Sequence, residues 1–132
     1  MTPMTEQEWL LRFPAPADWL SANKRYKRRP DKEIRAWREA AKLHAVAARL
    51  PRGLGCVSVY ATLHFTDRLR RDAHNYMLNV KSCIDGLVDY GLIPDDRRSH
   101  LRWTAITEGD PVAKKPLGPV GEIELRIVEE PS

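Results

Sequence analysis

The sequence predicts one small α/β (α+β) domain, a mixed β-sheet with two main helices packed on it, in the approximate order β-α-β-α-β-β. Three observations lead there. Residues 31–50 and 77–90 repeat apolar side chains at helical spacing. Residues 56–65 alternate with period two, and 122–128 do the same. A length of 132 residues suits a single unit over 1–132, enough chain for one core and too little for two.

Each element has its own signal. Trp9, Leu10, Leu11 and Phe13 suit a short first strand that ends before Pro14 and Pro16. Asp18 to Asn23 then reads as a loop delivering the basic run Lys24, Arg25, Lys27, Arg28 and Arg29, with Tyr26 inside it. Pro30 and Asp31 suit a helix start, with Asp31 as N-cap or first-turn acid. Ile34, Trp37, Ala41 and Ala48 form its stripe, widened by Ala40, Leu43 and Ala47. Pro51 stops the helix, and Gly53 and Gly55 mark a turn. In 56–65, Val57, Val59, Ala61, Leu63 and Phe65 face one way, while His64 belongs to the more polar face. Met77, Val80, Ile84, Leu87 and Val88 give the second helix its buried side, and Gly91 fits the position just past its end. Leu101, Trp103, Ala105 and Thr107 alternate with Arg102, Thr104 and Ile106 as a third strand. Glu108 to Gly121 reads as a mobile loop or a long hairpin connection. Ile123, Leu125 and Ile127 form the apolar side of the last strand.

Composition narrows the class. A hydrophobic fraction of 42% and a charged fraction of 30% are ordinary for a globular chain and argue against wholesale disorder. The net charge of +4 is modest, so the clustering of the cations matters more than their excess. Cys56 and Cys83 lack metal-ligand spacing and read as reduced core residues, which points to a cytoplasmic protein. No apolar run approaches membrane-spanning length, and the N-terminus carries no signal-peptide pattern.

The densest chemistry lies in Asp67-Arg68-Leu69-Arg70-Arg71-Asp72-Ala73-His74-Asn75, followed by Lys81 and the pair Asp95-Asp96. Cations beside carboxylates suit a phosphodiester held by arginines next to a metal held by acids. Asp72, Asp95 and Asp96 are the candidate carboxylates, and Lys81 is the candidate to offset charge on the scissile phosphate. A straight helix of about fourteen residues is ~21 Å long. The acids of the 92–96 loop therefore reach the first motif only if that loop folds back or its acids lie on the neighbouring strand.

The ordered combination Asp-Arg-x-Arg-Arg-Asp-x-x-Asn, then Lys81, then Asp85-Gly86-Leu87-Val88-Asp89-Tyr90-Gly91-Leu92-Ile93-Pro94-Asp95-Asp96, resembles the RusA family of Holliday junction resolvases. The likeness is strongest over residues 65–96, with weaker support from Asn23-Lys24-Arg25-Tyr26, and it is closest to the phage and actinobacterial branch. It implies a homodimeric, Mg²⁺-dependent endonuclease, phage- or bacterium-encoded, acting on four-way DNA junctions in recombination and repair, with Mn²⁺ as a substitute metal. By that resemblance, Asp72 and Asp96 are the acidic positions, Asp95 belongs to the second acidic pair, and Lys81 is the essential lysine. Asn75 closes the first motif, and Arg68, Arg70 and Arg71 contact DNA phosphates, with Lys24, Arg25 and Lys27 as a second basic contact.

One position departs from the pattern. Where the family has a second aspartate two residues after the first, this chain has His74. Imidazole is a poor Mg²⁺ ligand and a better one for Mn²⁺ or Zn²⁺. Asp67 and Asp95 are the candidates to compensate for the lost carboxylate, and the branch that the chain resembles often lacks it. Two expectations therefore stand side by side: an active junction nuclease, or a junction- or duplex-binding protein with a weakened site. An interaction domain with no DNA role is the third.

Overall fold

The computed structural model of the protein describes residues 7–131. Its strands are β1 (Glu8–Pro14), β2 (Val57–Phe65), β3 (Leu101–Glu108) and β4 (Gly121–Glu129); its helices are α1 (Asp31–Ala48) and α2 (Met77–Tyr90). The four strands form one sheet in the order β1-β4-β2-β3. β4 runs antiparallel to both β1 and β2, whereas β3 lies parallel to β2 at the edge. A parallel partner needs a crossover, and α2 supplies it between β2 and β3.

The core is built from the alternating residues of the inner strands. Val57, Val59, Ala61, Leu63 and Phe65 of β2 are buried beside Ile123, Leu125 and Ile127 of β4 and Leu11 and Phe13 of β1. Trp37, Ala41 and Ala45 of α1 and Val80, Cys83, Ile84 and Leu87 of α2 join the same cluster. The buried stripe of α1 is thus centred on 37, 41 and 45. Leu43, expected to widen it, is more than half exposed, because it sits on the side away from α2 and the sheet. Asp31 is a first-turn acid, paired with Arg29 at 2.7 Å, and Pro30 holds the cap position. The helix ends at Ala48, with Arg49 in the left-handed conformation, two residues before Pro51.

Two expectations about the C-terminal third change. The pairing register of β3 on β2 shifts between Val57 and Val59, which face Leu101 and Thr104. This irregularity gives β3 one extra residue there and reverses the alternation beyond it. Ile106 consequently enters the core, while Trp103 is 60% exposed. Residues 109–120 are also not a hairpin, because β4 does not pair with β3; they cross the end of β2 to reach its far side. The crossing is anchored by backbone bonds from Gly109 to Leu63 and from Val112 to Phe65. Pro14, placed beyond the first strand by its sequence, is the last residue of β1, an edge strand where a missing N–H is tolerated.

The helices meet closely at one point. A Cβ on Gly86 would lie 2.1 Å from the carbonyl oxygen of Arg38 and 3.1 Å from the Ala41 methyl. Arg38 also donates to both carboxylate oxygens of Asp89, at 2.5 and 2.7 Å, across the same crossing. Gly86→Ala is expected to force the helices apart and cost roughly 1–3 kcal/mol of stability, as overpacking does. A urea titration checks this, with a lowered midpoint and an unchanged slope.

Candidate functional site

The segment between β2 and α2 begins with a local ion pair. Asp67 accepts two hydrogen bonds from the Arg71 guanidinium, at 2.7 and 3.0 Å, and one from the Leu69 N–H. Arg71 also lies over the Phe65 ring, 4.0 Å from its centroid. The hydrogen bond from Arg71 holds the Asp67 carboxyl below the usual range. Asp67 and Arg71 therefore shape the strand exit: the aspartate is committed to the arginine, and the arginine is turned inward. Arg68 and Arg70 are exposed and form no ion pair among the described residues.

Asp72 starts the next turn. Its carboxylate accepts from the His74 N–H at 3.0 Å and caps the short 3-10 turn Ala73–Tyr76 that leads into α2. The side chain remains mostly exposed, and the His74 ring, also exposed, lies 3.4 Å from it. The Asn75 carbonyl accepts from the Ala22 N–H at 2.7 Å, and the Asn79 carboxamide accepts from the Leu20 N–H. These bonds hold the first basic loop against the end of the first motif and the first turn of α2. Lys24, Arg25 and Lys27 are exposed along that loop, with Lys24 Nζ 5.4 Å from the Tyr26 ring centroid.

At the other end of α2 the chain folds back. Gly91 takes a positive φ of 99°, and backbone bonds from Gly91 and Leu92 return to the last turn of the helix. Leu92 and Ile93 are buried, which draws the following acids along the helix flank. As a result the Asp96 carboxylate accepts from Lys81 Nζ at 2.5 Å. Lys81 donates equally to Asp85, one turn further along α2, at 2.6 Å. One ammonium thus sits between two carboxylates on the exposed flank of α2. Asp95 is engaged differently: it accepts from the Arg97 N–H in its own turn.

The sequence places Lys81 and Asp96 in one site in separate roles, and gives Asp85 none. Its signal was the i,i+4 spacing from Lys81, which places both side chains on one helix face. The structure does not gather Asp72, Asp95 and Asp96 into a ligand set; among the described residues no three His, Cys, Asp or Glu side chains come together to hold a metal. Asp85 and Asp96 do converge, and with Lys81 they carry a net negative charge. The oxygens facing the ammonium are taken, so a hard divalent cation would be held by the carboxylate oxygens that do not accept from Lys81, with its remaining positions left to water and phosphate oxygens.

Comparison with known proteins adds a little. No protein-family model matches the chain, and no curated protein does. Among solved structures, a periplasmic domain of MotB is 14% identical over 99% of this chain and 78% of its own, with a TM-score of 0.43. The corresponding domain of Helicobacter pylori MotB is 13% identical over 95% and 85%, with a TM-score of 0.38. No helix of the described residues is long and apolar enough to cross a membrane.

The charges of the trio are mutually dependent. Burial lowers the Lys81 ammonium value, but hydrogen bonds to Asp85 and Asp96 outweigh it and raise the value overall. The hydrogen bond from Lys81, then its charge, holds the Asp96 carboxyl below the usual range. A depressed carboxylate adds stability that is present above its unfolded value and is lost as pH falls through its folded value. Carboxyl NMR should therefore show Asp96 titrating below ordinary aspartate. In Lys81→Met its midpoint is expected to rise back to the ordinary range.

Proposed function

We propose that this protein is a metal-dependent endodeoxyribonuclease selective for branched DNA, acting as a homodimer on four-way junctions. The observation that carries the reading is the placement of Lys81 between Asp85 and Asp96 on an exposed flank of α2, with the exposed Arg97 next to Asp96. The ordered motif over residues 65–96, similar to that of RusA-type resolvases, supports the same activity. Two-fold symmetry supports the dimer, since paired nicks across a junction require one site from each copy.

Each group has a task in this reading. Arg68 and Arg70, with Lys24, Arg25 and Lys27, hold backbone phosphates and set the register of the strand without reading its sequence. Asp96 and Asp85 are the first candidates to hold the divalent cation, and Asp72, exposed at the start of the 3-10 turn, is the candidate acid of the first motif. When bound, Mg²⁺ or Mn²⁺ supplies Lewis acidity and lowers the pKa of a water. Lys81 places a fixed positive charge where negative charge develops, and the two acids that grip it keep it protonated and aimed.

A second reading is favoured by one observation: the carboxylates of the two motifs do not come together as a three-donor set, and His74 stands where a further acid would complete it. In that reading the protein binds junctions or duplexes and cuts them weakly or not at all.

A labelled four-way junction with Mg²⁺, beside linear duplex and flap controls, separates the two. Junction-selective cleavage is expected, with binding that falls steeply as salt rises. Asp72→Asn is expected to abolish cleavage while preserving or improving binding, because it removes a negative charge beside phosphate. Lys81→Met is expected to lower the cleavage rate by roughly 10²-fold or more. Binding without cleavage in either Mg²⁺ or Mn²⁺ would establish the second reading.

A further inference from the structure

We infer that the slot between the first basic loop and the start of α2 receives a single unstacked nucleobase from the strand being cut. The inference rests on the nuclease reading above and adds a determinant of which nucleotide is presented.

The slot encloses about 260 Å³. Tyr26, Pro30, Met77 and Leu78 make its walls largely apolar, while His74 and Asn75 stand at its polar boundary. An apolar slot with an aromatic wall suits a flat heterocycle, since every base has a face that stacks. The imidazole and carboxamide carry the donors and acceptors that a base edge requires. A nucleotide also brings phosphate, and the charge around the slot matches it. Lys24 lines both this slot and an adjoining cavity of about 280 Å³, whose lining adds Arg28, Lys32 and the Asp31-paired Arg29 against Asp18 and Glu33, so cations outnumber acids there.

The walls are fixed to one another before any ligand arrives. Ala22 N–H donates to the Asn75 carbonyl at 2.7 Å, and Ser21 N–H donates to the Tyr26 hydroxyl at 3.2 Å. His74 lies two residues from Asp72, so a base seated there belongs to a nucleotide that also meets the first acidic motif. A branch point is where such a base is cheapest to obtain, because stacking is already interrupted.

The test compares a fluorescein-labelled hexathymidylate with the same strand carrying abasic sites, by anisotropy. The two carry equal phosphate charge, so binding through the backbone alone gives equal affinities. The native protein is expected to bind the strand with bases roughly tenfold more tightly. Tyr26→Leu removes the stacking face, and Ala22→Trp fills the slot from an exposed position outside the core. Each is expected to abolish the difference while leaving abasic-strand binding unchanged; Tyr26→Leu also loses the Ser21 N–H bond and some core packing, so its melting temperature falls slightly, whereas that of Ala22→Trp stays the same. Equal binding of the two strands by the native protein, no binding of either, or a difference that survives both substitutions overturns the slot. Junction cleavage tells the two ideas apart: cleavage without base-dependent binding refutes the slot alone, and base-dependent binding without cleavage refutes the nuclease alone.

Discussion

The approach of α2 to α1 at Gly86 is the constraint on which the position of the charged flank depends. With no side chain there, the backbone of α2 rests against Arg38 and Ala41, and one face of the helix is committed to that contact. Val80, Cys83, Ile84 and Leu87 then fall into the core. Lys81 and Asp85 lie four residues apart on the remaining surface and have nowhere to go but outward. Arg38 and Asp89 reinforce the crossing near its edge, where a partly exposed pair gives orientation more than stability.

The second constraint is the return of the chain after Gly91. A helix end would normally carry its following loop away from the first turns. Here the left-handed glycine and the burial of Leu92 and Ile93 reverse the direction, and Asp96 comes back to the level of Lys81. The arrangement is electrostatic at its tip but hydrophobic in origin. Two buried aliphatic side chains determine where an exposed carboxylate sits.

At the exit of β2, charge is sorted by burial. Arg71 is held inward by Asp67 and the Phe65 ring, whereas Arg68 and Arg70 remain free on the surface. Three arginines in one run thus divide into a structural residue and two available cations. The first basic loop is tied to the start of α2 by bonds from the Ala22 N–H to the Asn75 carbonyl and from the Leu20 N–H to the Asn79 carboxamide.

Local signals determined much of this protein. The complete alternation of 57–65, the apolar spacing of 77–90 and the glycine after Tyr90 each specify their element, because the physics involved is confined to one or two turns of chain. The pairing of Lys81 with Asp96 was legible only as a motif, since fifteen residues separate them. Asp85 was legible by helical spacing. What the tertiary structure alone decided were matters of partnership. The register shift that buries Ile106 depends on β2, and the insertion of β4 between β1 and β2 depends on three strands at once. Sequence specifies which faces a segment offers. Which other segment meets each face is settled by the packing of the whole sheet.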